Sequence, residues 1–273
     1  MVIATPIGNL SDLSERAAEA IRSCDLLLCE DTRVTRKLVT HLGAGVDLAS
    51  HHEHNEQGQV ESLIERMERG AAIGLVSDAG TPLISDPGFP LVRAARERGI
   101  RVEPIPGPSA GLAALSASGI APVPFCFLGF LPRKSAERRE LFRSLQSLRM
   151  TAVAFESPHR LEKSLVDLEQ ELGEIEISVA RELTKMHEEI LTGTVEEVRR
   201  DLESKPRIRG EITIVISAPS PRSGEFSMPD PEQLRQEFEA LRSSGMKRTD
   251  AVKVLAERYG LPRRELYDKL AEV

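Results

Sequence analysis

The 273-residue chain contains no tryptophan, two tyrosines and only three cysteines. The cysteines, at positions 24, 29 and 126, show no Cys-x-x-Cys spacing and lie in apolar surroundings, so we expect free thiols with no disulfide and no zinc site. No apolar run approaches the roughly 18 residues of a membrane helix, and no basic and apolar leader follows Met1. These absences predict a soluble, cytoplasmic protein without a membrane partner.

The chain also lacks a positive balance of charge. Its formal net charge of -7 argues against nucleic-acid binding by the whole surface, although local basic segments remain at PRKSAERR and KPRIR. Neither the dinucleotide pattern Gly-x-Gly-x-x-Gly nor the phosphate loop Gly-x-x-x-x-Gly-Lys-Ser/Thr occurs. The usual nicotinamide and nucleoside-triphosphate enzymes are therefore disfavoured.

The one histidine-rich stretch is HHEH, with His51, His52 and His54. Metal ligands usually come from one helix face or a hairpin with cysteine or carboxylate support, whereas this stretch is followed by Asn, Glu and Gln. We expect a solvated or substrate-facing loop, and we predict no metal site in the chain.

Short apolar segments alternate with amphipathic segments, beginning with VIATP and SERAAEAIRS. This order predicts a mostly parallel sheet with helices packed on it. From Phe125 onward, strand candidates follow one another with fewer helices between them, so some antiparallel pairing is expected. The predicted fold class is α/β, with two α/β domains that meet near residues 107–122.

The pattern stops after Ser217 in APSPRSGEFSMPDP, whose Pro, Ser and Gly content predicts a linker. Three short helices follow, and the spacing around Gly260 fits a helix-turn-helix, with a helical cap or dimerisation unit as the alternative. The predicted divisions are two α/β domains, a linker and a helical domain, at residues 1–110, 111–218, 219–229 and 230–273.

Three loops rich in Gly, Pro and hydroxyl residues are predicted at the carboxyl ends of the parallel strands, where such sheets bind ligands. They are TPIGN, SDAGTPLISDPG and PGPSAG. FESPHR, ARELTKMHEE and RGEIT add charged groups from the second half. Together they favour a cleft that orients an already activated donor. Asp86, just before Pro87 and Gly88, is predicted to cap the next helix.

Nine motifs in order resemble one known family: TPIGNLSDLSERA, CEDTRVTRKL, HHEHNEQ, LVSDAGTPLISDPGFPLVR, PIPGPSAGLAALSASG, FLGFLPRK, FESPHRL, ARELTKMHEE and GEITIVI. Over about residues 2–217 they are similar to the small-subunit ribosomal RNA methyltransferases I of the tetrapyrrole (class III) methylase superfamily. The resemblance implies a homodimer that uses S-adenosyl-methionine for 2′-O-methylation of a cytidine ribose in the decoding region of 16S rRNA. It also implies two α/β domains with the donor in the cleft between them.

The resemblance further implies which residues bind the donor. They are Pro6, Gly8, Asp78, Ala79, Gly80, Thr81, Ile84, Ser109, Ala110, Leu128, Phe155, Arg181 and Ile212.

A ribose hydroxyl is a poor nucleophile near neutral pH, so a proton acceptor would help the reaction. The candidates are Asp31, Glu156, and the pair Glu182 and Lys185. Burial next to cations would depress the pKa of Lys185 and let it act as a base, and a phosphate-holding role is the alternative. For each residue, an ion-paired network that orders the domain interface is an equal alternative. RNA contacts are expected from Arg33, Arg133, Lys134, Arg160 and the C-terminal domain.

Two other functions stay open. A C-methyltransferase of tetrapyrrole or corrin precursors would need a wide apolar trough lined by arginines, and the C-terminal helices would have no purpose in it. A ligand-sensing DNA-binding regulator would explain those helices but not the charged second wall of the cleft.

Overall fold

The computed structural model describes residues 1–205, 207–219 and 231–259, with Leu266 and Leu270. The chain divides into two compact units, Met1–Ala218 and Pro219–Val273. Both predicted α/β domains lie in the first unit. The predicted linker from residue 220 onward and the turn at Gly260 lie outside the described residues.

The first sheet is entirely parallel, where the sequence predicts a mostly parallel sheet. Its strands are β1 (Val2–Ile3), β2 (Leu26–Cys29), β3 (Asp47–Ser50), β4 (Ile73–Leu75) and β5 (Pro104–Ile105). They pair in the order β3-β2-β4-β1-β5. The accompanying helices are α1 (Glu15–Ser23), α2 (Thr32–His41), α3 (Glu56–Glu68), α4 (Phe89–Glu97) and α5 (Ala110–Ala117).

The second sheet is mixed, which confirms the expected antiparallel pairing. Its strands are β6 (Phe125–Phe130), β7 (Thr151–Glu156), β8 (Glu176–Arg181), β9 (Glu189–Thr194) and β10 (Ile212–Ile216). They pair in the order β6-β7-β10-β8-β9, with only β6 and β7 parallel. The helices are α6 (Ser135–Leu148), α7 (Leu161–Leu172) and α8 (Val195–Glu203).

The apolar spacing of α7 shows why this helix packs on the sheet. Leu161, Leu165, Leu168 and Leu172 recur every three or four residues, so they share one face of the helix, and all four are buried. Burying a leucine side chain contributes about 1.5–3 kcal/mol relative to exposure. This face joins the core formed with β7, β8 and β10.

Polar caps fix the starts of three helices. Asp31 accepts a hydrogen bond from the Arg33 amide at the start of α2, and Ser14 accepts one from the Ala17 amide in α1. Thr194 and Glu197 form a capping box at the start of α8. The strand-to-helix loops therefore leave the sheets in defined directions.

The cysteines are free, as predicted, with Cys24 and Cys29 buried and Cys126 half-buried. None of the helices in the described part of the chain is long and apolar enough to cross a membrane.

β3 and α3 were not predicted from the sequence, and the first histidine of the HHEH stretch between them differs from its expectation. His51 is fully buried, and its Nδ1 lies 2.9 Å from Gln59 Oε1. The expectation of a solvated or substrate-facing loop is therefore wrong for His51, while His54 is exposed.

The basic segment PRKSAERR is also less exposed than its composition suggests. Arg138 is buried and forms an ion pair with Asp167, and Arg139 forms one with Glu171. Arg133 and Lys134 remain exposed, so the charge available to a partner is smaller than the sequence count.

The second unit contains two of the three predicted C-terminal helices in its described part, α9 (Pro231–Ser243) and α10 (Arg248–Tyr259). They enclose a small apolar core made by Leu234, Val252, Leu255, Ala256 and Leu266.

Candidate functional site

A cavity of about 360 Å³ lies within the first unit, between loops of both sheets. This volume lies in the range of about 300–1,000 Å³ that is typical of small-molecule pockets. From the first sheet it is lined by Ile7, residues 78–81, residues 84–86, Ser109 and Ala110. From the second sheet it is lined by Phe130, residues 155–158 and residues 210–213.

Most of the predicted donor residues meet at this cavity. Its lining includes Asp78, Ala79, Gly80, Thr81, Ile84, Ser109, Ala110, Phe155 and Ile212. Pro6 and Gly8 flank the lining residue Ile7 but are not part of the wall. Leu128 packs against the core of the second sheet, and Arg181 pairs with Glu189 at 3.5 Å. The structure therefore places Pro6, Gly8, Leu128 and Arg181 outside the cavity lining.

The loop from Ser77 to Gly88 has an unusual backbone. Leu83 and Ser85 have φ angles of 70° and 71°, in the left-handed region that residues with side chains rarely adopt. Two hydrogen bonds between Thr5 and Gly80, of 2.8 and 3.1 Å, attach this loop to the end of β1. Such strain persists only where the surroundings hold it, and here it places Ile84 and Ser85 on the cavity wall.

The edge strand β6 approaches the same loop. Its pairing with β7 shifts register between Phe127 and Gly129, and a Cβ atom on Gly129 would lie 3.2 Å from Ser85 Oγ. The next residue, Phe130, lines the cavity with its ring edge-on to Phe155 at a centroid distance of 5.5 Å. A glycine at position 129 therefore allows an aromatic side chain from the second sheet to reach the site.

A second loop, residues 182–188, is held by a charged cluster. Lys185 Nζ donates hydrogen bonds to Glu182 Oε1 at 2.9 Å and to Glu211 Oε2 at 3.0 Å. Burial lowers the pKa of Lys185, but its hydrogen bonds and ion pairs with the two glutamates outweigh burial, so the pKa is raised. The predicted depressed pKa is wrong, because the sequence does not reveal that two carboxylates face this ammonium group.

The same loop contacts the first loop of the chain. The Asn9 amide donates a 3.1 Å hydrogen bond to Thr184 Oγ1. A Cβ atom on Gly8 would lie 2.6 Å from Lys185 Cγ, so this close approach requires glycine. Gly8 thus allows the two loops to join, and its role in donor binding stays a prediction.

Asp31 lies at the start of α2 and is engaged with Arg33. Hydrogen bonds from the Arg33 side chain and amide lower the pKa of Asp31 to about 2. The Asp31 amide donates a 3.1 Å hydrogen bond to Asp78 Oδ1, which links this turn to the cavity wall. The Arg33 side chain is 88% exposed and remains available to a partner.

Glu156 lines the cavity, but its side chain is fully buried and has three partners. Its carboxylate accepts from Ser157 N at 2.7 Å and Ser164 Oγ at 2.5 Å, and it pairs with Arg160 Nη2 at 2.5 Å. Arg160 also donates to the Leu131 carbonyl at 3.2 Å. Both residues therefore belong to an internal network, which argues against Glu156 as a free base and against Arg160 as an RNA ligand.

Asp86 is a site residue that the sequence analysis assigned incorrectly. The residue before α4 is Gly88, with a φ of 118°, and no side chain caps this helix, so the predicted cap is wrong. Asp86 is half-buried and lines the cavity. Burial raises its pKa to about 6, a hydrogen bond with Ser77 opposes the shift, and the carboxylates of Glu30 and Asp78 add to it.

Other lining residues were also missed. They are Ile7, Ser85, Phe130, Ser157, Pro158, Gly210, Glu211 and Thr213. Their motifs were recognised, at TPIGN, FLGF, FESP and RGEIT, but the motifs do not reveal which side of each strand faces the cavity. Within the part of the chain that the structure describes, no group of three or more His, Cys, Asp or Glu residues is arranged to hold a metal ion.

The fold and the cavity define a class of protein. Residues 1–199 match the family of Tetrapyrrole (Corrin/Porphyrin) Methylases, and the chain belongs to this family. A diphthine synthase structure has a TM-score of 0.62 at 14% identity, covering 79% of this chain and 88% of that chain. A uroporphyrin-III-C-methyltransferase from Thermus thermophilus has a TM-score of 0.52 at 19% identity, covering 82% of this chain and 96% of that chain. At these identities the likeness shows the fold alone.

Curated relatives narrow the class. A protein from Synechocystis named ribosomal RNA small subunit methyltransferase I is 43% identical to this chain, and the similarity covers 100% of this chain and 97% of the relative. Proteins of the same name from Haemophilus influenzae and Halalkalibacterium halodurans are 41% and 39% identical, covering 97% and 98% of this chain and 94% and 92% of the relatives. The chain belongs, within the methylase family, to the ribosomal RNA small subunit methyltransferases I.

Proposed function

We propose that this protein transfers a methyl group from S-adenosyl-methionine to the 2′-hydroxyl of a cytidine ribose in the decoding region of 16S rRNA. The observation that carries the proposal is the similarity over nearly the whole length to small-subunit rRNA methyltransferases. The cavity between the two sheets supports it with a site for a small molecule. The names of the relatives disfavour a tetrapyrrole substrate and a DNA-binding regulator.

The cavity fits the donor in size and chemistry. The small residues Ala79, Gly80 and Ala110 let a ligand approach the backbone, while Ile84 and Phe155 provide apolar contact. The donor supplies an activated methyl group on a positively charged sulfonium, and Asp78 places negative charge at the cavity wall. These residues would bind the donor and exclude water, so that positioning carries most of the rate.

The acceptor would enter from the open side of the cavity. Phe130 is 60% exposed and presents a ring on which an unstacked base can lie. Arg33, Arg133 and Lys134 are exposed cations for phosphate contacts, with Lys134 also 2.8 Å from Glu137. Arg160 is left out because its guanidinium is engaged inside the protein.

We further propose a cytoplasmic homodimer that acts on the small ribosomal subunit. Val123, just before the edge strand β6, is 79% exposed, and Phe125, the first residue of β6, is 40% exposed. Exposed apolar side chains on a sheet edge favour burial against a second chain. Sedimentation of the protein at several concentrations would measure the oligomeric state.

One experiment separates the candidate functions. The protein and labelled donor are incubated in separate reactions with small ribosomal subunits, bare rRNA, a tetrapyrrole or DNA. The labelled position in any methylated RNA is then mapped. Label on a cytidine ribose of 16S rRNA is expected. Label on the tetrapyrrole would favour carbon methylation, and DNA binding without methyl transfer would favour a regulator.

The role of the C-terminal helices needs its own test. We propose that they bind RNA, so deleting residues 222–273 should raise the KM for small subunits while donor binding persists. Unchanged methylation after the deletion would rule out a recruiting role for this unit.

A further inference from the structure

A side chain that accepts the proton of the reaction has to reach the cavity and be free to take a proton. The structure leaves none of the four candidates from the sequence in that state. Asp31 is held by Arg33 and has a pKa of about 2, and Glu156 has three internal partners. Glu182 and Lys185 bind each other, which lowers the pKa of the first and helps to raise that of the second.

Asp86 differs from these residues in position and in partners. It lies on the cavity wall immediately after Ser85, whose hydroxyl faces the β6 edge near Phe130. Ser85, the residue before Asp86, and Leu83 both have left-handed backbone angles, so the surroundings hold this loop in a conformation that residues with side chains rarely adopt. None of the charged groups that act on the Asp86 carboxyl in the described part of the chain is a cation.

We propose that Asp86 is the catalytic base that accepts the proton of the target ribose hydroxyl. The inference deepens the proposed function and rests on it, because it requires a ribose acceptor and a sulfonium donor in this cavity. It rests on the place of Asp86 in the cavity wall, on the strained loop that holds it there, and on the engagement of the other candidates.

The step balances as follows within the site. The Asp86 carboxylate forms a bond to the hydroxyl proton while the hydroxyl oxygen forms its bond to the methyl carbon. The electron pair of the broken carbon–sulfur bond remains on the donor sulfur, which becomes neutral. The protonated Asp86 then releases its proton to water, so the net products are the methyl ether, the neutral thioether and one proton.

The groups around Asp86 suit a base that works near neutral pH. Glu30 and Asp78 act on its carboxyl as negative charges, and the hydrogen bond with Ser77 partly offsets them. Burial, and after it the charge of Asp78, raise the pKa of Glu30, and His52 opposes this shift only in part. With a pKa of about 6, Asp86 is mostly ionised at neutral pH yet remains a stronger base than an ordinary aspartate.

The decisive comparison is between the wild type, Asp86→Asn and Asp86→Glu, with Asp201→Asn as a control on the exposed face of α8. We expect Asp86→Asn to lower kcat by about 100- to 10,000-fold, the usual worth of general base catalysis, with donor affinity measured by calorimetry unchanged. Asp86→Glu should recover part of kcat because it restores a carboxylate. The wild-type rate should rise with pH through about 6, and Asp86→Asn should lose that limb.

A second measurement does not depend on turnover. Carbon NMR of labelled aspartate side chains in the full protein should show a carboxyl that titrates near 6 in the wild type and is missing in Asp86→Asn. An unchanged kcat, or a rising limb that persists in Asp86→Asn, would overturn the inference. If Asp86→Asn also loses donor binding, the Asp86→Glu variant decides. Donor binding without any turnover in Asp86→Glu would contradict the role of Asp86 as a base. Wild-type methylation of 16S rRNA tests the proposed function separately.

Discussion

The carboxyl group of Glu182 occupies the space that any side chain at position 210 would need, because a Cβ atom built on Gly210 would overlap it. The amide of Glu211 donates a 3.1 Å hydrogen bond to that same carboxyl group. Gly210 also has a φ of 88°, in the region that favours glycine. The turn before β10 and the loop after β8 are therefore fitted to each other through one carboxylate.

Replacing Gly210 by alanine should be more destabilising than a left-handed backbone alone explains. We expect Gly210→Ala to lower the free energy of unfolding by more than the about 1–2 kcal/mol of a left-handed non-glycine residue, and to weaken donor binding. Gly119→Ala is the matched control, because Gly119 has a φ of 75° but nothing within 4 Å of its Cβ position. Equal denaturant midpoints for the two variants would contradict the overlap.

Lys185 should act in positioning and not as a base. Its raised pKa keeps it charged across the range in which enzymes work, so Lys185→Met should leave the rising limb of the pH–rate profile in place. We expect a higher KM for donor or RNA because the cluster with Glu182 and Glu211 is lost. Loss of the limb in Lys185→Met would show instead that the lysine takes the proton.

Thr184 should couple the first loop of the chain to the loop of residues 182–188. Thr184→Val removes the acceptor of the Asn9 amide, which should lower the free energy of unfolding by about 1 kcal/mol. Thr40→Val, at an exposed position near the end of α2, serves as the control. Chemical denaturation followed by circular dichroism measures both, and identical midpoints would mean that this bond contributes nothing.

The pKa of Asp86 also predicts a pH-dependent stability. Between its ordinary value of 3.8 and about 6, the folded state holds the proton on Asp86 while the unfolded state releases it, so stability falls as the pH rises through this window. Asp86→Asn lacks this titration and should melt at a higher temperature than the wild type at about pH 8, with a smaller difference at about pH 4. A constant difference across this range would contradict the raised pKa.

The exposed cations after β6 should contribute to RNA binding in a salt-dependent way. Replacing Arg133 and Lys134 together by alanine should weaken RNA binding and reduce the salt slope by roughly 0.7 for each lost phosphate contact. Donor affinity should not change. The double variant Arg66→Ala and Arg69→Ala is the control, because both residues are exposed, in the last turn of α3 and just after it. An equal loss of RNA affinity in this control would show that the effect is not local.

Regular periodicity made most of the fold predictable, and its absence explains what was missed. α7 has an unbroken apolar face, whereas α3 begins with a polar run that contains Gly58 and has only Leu63 and Ile64 buried. β3 is a half-exposed edge strand with one charged residue, Asp47, so it lacks the apolar run of a central strand. These two elements are defined by their packing on β2 and α4 and not by their own composition.

The loops of the site were predictable, but the electrostatics of their residues were not. Lys185 lies in the loop after β8 and Glu211 lies just before β10, so the two residues are far apart in the sequence. Their ion pair, and with it the raised pKa of Lys185, therefore depends on the fold. Asp86 stands before Pro-Gly, a sequence typical of a helix start, yet the backbone angle of Gly88 makes the glycine the cap. The charge state of a side chain in a cleft, and the direction in which it points, depend on neighbours in the fold that sequence spacing does not identify.

The order of the second sheet has a consequence for the synthesis of the protein. β10 is the last strand made in the sheet, and it lies at its centre, between β7 and β8. Until Ile216 has emerged from the ribosome, these two strands keep unpaired edges, for several seconds at about 5–20 residues per second. The first sheet, by contrast, is complete once β5 is made, so the nascent chain carries one finished sheet and one with two open edges. The cavity forms only when β10 pairs with both, which makes donor binding a late event in folding and a chain stopped before residue 212 prone to aggregation.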